Sequence, residues 1–188
     1  MRKHSGLFVI LFLFIAAGAF CGPFGFDFGM SLEQVKRISR TTPENIGDDR
    51  YVITPLDTHE LFEVYVMRIH PAYGIYFIKA TSRNISTNGH GTELIEHFNN
   101  LASNMEISYG KYLRIDRLNP ESLFPGSQNF MHALSKGDRE LAVFWRRSEG
   151  SRLPEDILEI IVYAEARTSS IGNIVVEYYS MNYEKVEE

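Results

Sequence analysis

The chain has 188 residues, 44% hydrophobic and 13% aromatic, with a formal charge of −5 at pH 7. That content suffices for one good core and excludes a disordered chain, while the acidic balance disfavours nucleic acid and anionic lipid as partners. The single cysteine excludes a disulfide within the chain, so stability has to come from packing.

Taken in chain order, the first segment is unlike the rest. Arg2 and Lys3 make a positive start, 7–20 is an uncharged run of apolar or small residues, and Ala17-Gly18-Ala19 supplies small side chains for a cut. Those are the three parts of a secretory signal, predicted over 1–19 with the cut as late as 21. The run is shorter than the ~20 apolar residues of a spanning helix and ends in Gly22-Pro23-Phe24-Gly25. Cys21 sits at this junction and is the candidate for lipidation. Loss of Arg2 and Lys3 with the leader makes the mature part more acidic still. The expected location is therefore outside the cytoplasm, periplasmic or extracellular, with the membrane reached only through the leader or a lipid on Cys21.

Residues 20–188 read as a single α+β domain: an antiparallel sheet with helices packed on one face, in two helix-plus-strands halves at about 24–90 and 91–188. Phe24, Phe26 and Phe28 alternate with small or polar residues, which predicts a short strand. Ser31 with Gln34 three residues on is a capping box for a helix over 31–40. A polar loop follows at 41–49. Strands are predicted at 51–56, at 62–67 and over 75–85, the last two joined by a turn at His70-Pro71-Ala72-Tyr73-Gly74. Thr92 is placed as the cap of a second helix whose Leu94, Ile95, Phe98, Leu101, Ala102 and Met105 share a face, closed by Gly110. A strand near 112–118, a loop at 120–126 and a short helix at 127–136 come next. Three strands end the chain, at 140–147, 157–167 and 173–183.

Gly29-Met30-Ser31-Leu32-Glu33-Gln34-Val35 resembles the start of the small outer-membrane assembly lipoproteins of the BamE/SmpA type. What the resemblance implies is a helix-then-strands fold and an envelope location, with no enzymatic role.

Catalytic and metal signatures are scarce. His59-Glu60 does not extend to H-E-x-x-H, no G-x-S-x-G elbow occurs, and no glycine cluster precedes Lys-Ser/Thr, so no metal or cofactor is expected. His90 lies in a turn between Gly89 and Gly91, and His97 on the second helix beside Glu93 and Glu96. Glu159 and Glu165 share one strand face about 20 Å apart, too far for a paired acid and base. Aromatics on the last strands carry the remaining signal: Tyr163, Tyr178 and Tyr179 are the candidate binding surface, with alternation placing Tyr178 and Tyr179 on opposite faces. Two functions follow as expectations. One is a non-enzymatic exported binding or envelope-associated module for a protein or envelope component. The other is an extracytoplasmic hydrolase-type enzyme with a site assembled from His90, Glu159 and Glu177.

Overall fold

A computed structural model describes residues 22–187; the predicted leader and Cys21 lie outside the described residues. The protein is a mixed helix and sheet structure, mostly sheet, with one nine-stranded antiparallel sheet and four α-helices among the described residues. No helix among the described residues is long and apolar enough to cross a membrane.

The capping box forms as read: Ser31 Oγ accepts from the Gln34 amide while Gln34 Oε1 accepts from the Ser31 amide, opening α1 (Leu32–Ile38). The Phe24-Phe26-Phe28 stretch is not a strand. Pro23–Gly25 is a 3-10 turn with Phe24 at φ 57, and the turn lays the Phe24 ring edge-on to Phe62, Tyr65 and Tyr178. The short β1 (Glu44–Asn45) interrupts the predicted polar loop and pairs with β2 (Arg50–Ile53). β3 (Phe62–His70) and β4 (Gly74–Ser82) are the predicted hairpin. Gly74 adopts φ +66 with its Cα against the Gly29 carbonyl, where a side chain has no room. The predicted long strand stops at Ser82, and β5 (Ile85–Ser86) continues separately.

Helix α2 (Thr92–Tyr109) is entered through Gly91 in the left-handed region, so Gly91 is the cap and Thr92 the first helical residue. Asn88 Oδ1 accepts from the amides of His90 and Thr92, replacing the expected threonine cap. Gly110 closes the helix at φ 76, as its position predicts. β6 (Leu113–Leu118), α3 (Phe130–Ser135), β7 (Arg139–Arg146), β8 (Ile157–Ala166) and β9 (Ile171–Ser180) follow. The last strand ends before the predicted 183. Met181 turns back to donate to the Asp156 carbonyl, and α4 (Tyr183–Glu187) begins instead.

Strand order is β1-β2-β3-β4-β9-β8-β7-β6, with β5 also on β9. β1–β4 and β6–β9 thus each run as a meander, and the two meanders meet through their final strands, β4 and β9. Registers line up across the junction: Met67, Ile78, Tyr178, Ile160 and Trp145 form one row, and Tyr65, Ala80, Val176, Val162 and Val143 the next. Every residue of both rows is buried, and they share one cluster with Val35, Leu94, Phe98, Leu101, Met105, Phe130 and Met131. Burying each large apolar side chain contributes about 1.5–3 kcal/mol. We call this the inner face. Leu94 lies so close to Gly172 that a Cβ there would meet Leu94 Cδ2 at 2.6 Å.

Candidate functional site on the outer sheet face

Strand alternation sends the neighbouring rows to the other side. One row reads Val66, Lys79, Glu177, Ile161, Phe144 and Leu113; another reads Arg68, Phe77, Tyr179, Glu159 and Arg146; a third contains Thr81, Val175, Tyr163 and Ala142. This outer face is mostly aliphatic and aromatic, and its members are half-buried to exposed, apart from Val175 and Ala142. A β-bulge modifies its edge: Arg68 pairs with Phe77 and Ile69 with Ile75, leaving Tyr76 as the extra residue. The bulge lets both Tyr76 and Phe77 reach the Tyr183 ring of α4, at 5.9 and 6.2 Å. The Tyr76 hydroxyl donates to Asp49, which also holds Arg68 at 3.1 Å.

Glu177 is at the centre. Its Oε1 accepts from Lys79 Nζ at 3.0 Å and from the Tyr163 hydroxyl at 2.9 Å, and its Oε2 accepts from the Tyr179 hydroxyl at 2.7 Å. Lys79 also donates to the Tyr163 oxygen at 2.9 Å. Tyr179 packs on Phe77 at 5.0 Å and on Tyr183 at 4.8 Å. Next to them Arg146 covers the Phe144 ring at 5.0 Å and hydrogen-bonds Glu159.

The electrostatics follow from these contacts. Burial and then the adjacent Glu177 carboxylate push the Tyr163 hydroxyl up to about 12, against the pull of Lys79. Burial, followed by Glu177, raises Tyr179 well above the ordinary tyrosine value. Burial works against the Lys79 ammonium, but its bonds to Tyr163 and Glu177 outweigh that and hold its proton more tightly than usual. At neutral pH both phenols and the ammonium stay protonated and all three donate to one carboxylate. Such a network fixes the side chains in place, with both lone pairs of Oε1 and one of Oε2 engaged.

Of the sequence candidates, Tyr163 and Tyr179 reach this face. Tyr178 does not: at 6% exposure it lies in the inner rows, against Phe24 and Tyr109, because alternation gives it the opposite side from Tyr179. It is therefore removed from the binding surface. Glu159 is a diagonal neighbour of Glu177 but is engaged with Arg146. His90 stays in the turn before α2, and no contact among the described residues joins it to either carboxylate. Glu165 is exposed. Sequence reading passed over Lys79, Phe77 and Ile161. Lys79 had a legible signal, as the one charge within the Ile75-Tyr76-Phe77-Ile78-Lys79-Ala80 run, where an ammonium needs an anionic partner.

Beside α2, a cleft of about 870 Å³ brings His59, Arg83, Glu93 and His97 to one lining. The described residues contain no group of three or more His, Cys, Asp or Glu able to hold a metal ion. The chain matches no family model, no curated protein and no solved structure.

Proposed function

We propose that this chain is an exported, non-enzymatic module that holds a protein partner or envelope component on its outer sheet face. In this reading α1, α2 and α3 are gathered on the inner face and α4 alone reaches the other side, through Tyr183. The membership of Val35, Phe98 and Met131 in the inner-face cluster supports that division.

The observation that carries the proposal is a broad apolar and aromatic sheet face whose central carboxylate is bonded to three donors of the same face. Rigid, half-exposed aromatics suit protein recognition, since they bury much area while losing little side-chain entropy. No observation favours the hydrolase-type alternative, whose His90, Glu159 and Glu177 are held in separate contacts.

The test is affinity capture from an envelope extract with the mature chain as bait. Tyr179→Ala should weaken capture at least about tenfold, roughly 1.4 kcal/mol. Glu177→Gln should leave capture nearly intact, whereas under the enzyme reading it should abolish turnover. Wild-type capture by Tyr179→Ala, with an unchanged fold by circular dichroism, would remove the basis for the proposal.

A further inference from the structure

β7 and β8 part company before either strand ends. Their pairing runs from Arg146↔Glu159 to Ala142↔Tyr163. β7 nevertheless continues to Arg139, still paired with β6, and β8 to Ala166, still paired with β9. Residues 139–141 and 164–166 therefore form two strand ends that face each other without being partners. A cavity of about 690 Å³ opens at this place, lined on one side by Arg139, Glu140 and Leu141 and on the other by Ala164, Glu165 and Ala166. It runs out over the outer face to Phe144, Ile161 and Tyr163. Register and cavity thus independently mark the same split.

We infer that this split is a docking slot for a short extended peptide of a protein partner, bound through its main chain to the parted strand ends and through its side chains to Phe144, Ile161 and Tyr163. The inference rests on the outer-face reading above and names its partner chemistry. Backbone groups that have lost their neighbour inside a sheet are satisfied by an added extended segment, the mode of strand addition. Each parted end offers ~10 Å of strand, enough for about three peptide residues at ~3.3 Å each. The cavity lies within the ~300–1,000 Å³ typical of ligand sites. Arg139 adds a specific donor. Its Nε is buried without a hydrogen-bond partner, while its guanidinium stacks on the Phe130 ring at 4.7 Å and pairs with Asp116. A peptide carbonyl entering the slot would supply the missing acceptor. Charge points the same way: Arg139 and Arg167 stand against Glu140, Glu165 and Glu177 in the lining, a formal −1 that Lys79, paired with Glu177 from outside it, brings to zero. That balance complements a neutral peptide and disfavours phosphate groups or polyanions.

The experiment pans a display library of linear peptides on the full-length mature chain. Enriched peptides should slow amide exchange at 139–141 and 164–166, and methylation of alternate peptide nitrogens should weaken them at least tenfold. Arg139→Lys, which keeps a cation for Asp116 but lacks Nε, should lower their affinity about tenfold. Phe144→Ala provides a second reading should the lysine variant unfold. No enrichment over a control surface overturns the inference. So does enrichment of peptides that ignore both variants and protect other amides. If Tyr179→Ala loses envelope capture while Arg139→Lys and Phe144→Ala retain it, the outer-face proposal stands and the slot falls. If none of them affects capture, both fall.

Discussion

Replacing Glu177 tests whether the outer-face network is built as described. Its carboxylate is 13% exposed and receives three donors at 2.7 to 3.0 Å. In Glu177→Ala all three lose their acceptor. Hydrogen bonds to charged groups contribute about 1.5–3 kcal/mol each, but they are not additive and Lys79, 33% exposed, can turn to water. A loss of about 3–4 kcal/mol is expected for the alanine variant. Glu177→Gln behaves differently. Its oxygen can stay at the Oε1 position to serve Lys79 and Tyr163, while its amide nitrogen faces the Tyr179 hydroxyl, which can rotate to accept. Only the charge is lost, so about 1 kcal/mol is expected. In a domain of this size, ~2–4 °C per kcal/mol puts the alanine variant about 6–16 °C below wild type and the glutamine variant about 2–4 °C below. Thermal melts followed by circular dichroism give both numbers. Equal melting temperatures for the two variants would refute the description of Glu177 as a shared acceptor.

Other expectations follow from the same structure. Phe98 is fully buried, so Phe98→Ala should cost about 3–5 kcal/mol in urea unfolding, whereas Asn99→Ala, losing one exposed contact to Arg114, should cost under about 1 kcal/mol. Tyr163 is raised from 10.0 to about 12, so the native state keeps a proton in that window that the unfolded chain releases. Its contribution is whole below pH 10 and is lost as pH rises toward 12; alkaline unfolding of Tyr163→Phe should be correspondingly shallower. Mass spectrometry of protein from the native host should find the mature terminus at Phe20 or within two residues of it. An intact Met1 would end the export reading, and labelled palmitate lost in Cys21→Ala would establish the lipid anchor.

Much of the local structure was legible because local chemistry decides it. Ser31 and Gln34 cap a helix by their own spacing, and the period of Leu94, Phe98, Leu101 and Met105 marks the buried face of α2. Proline and glycine in 70–74 set the β3–β4 turn. The Phe24-Phe26-Phe28 alternation misled, because a turn can present aromatics to a core as well as a strand can, and Gly25 at φ 83 permits the tighter path. The end of β9 misled for a similar reason: Tyr183 is a good strand residue by propensity, yet the turn at Met181 and Asn182 starts a helix before it. In the site, strand alternation sufficed to separate Tyr178 from Tyr179. The meeting of Lys79 with Tyr163 and Glu177 did not show, since it depends on β9 lying between β4 and β8, a non-local pairing with no local sequence mark.

That pairing has a consequence for how the molecule comes into being. The strand at the middle of the sheet is the last in chain order of the nine described. Until Ser180 has emerged, β4 and β8 lack the neighbour that joins them, and each half presents a raw edge of unpaired backbone. Contacts between positions near 80 and near 176 also place folding among the slow, high-contact-order cases. A nascent chain of this design leaves both edges open until β9 is made, which exposes it to aggregation on the way. Truncation before β9 should not yield a smaller sheet with one strand fewer, but two disconnected meanders with no shared core.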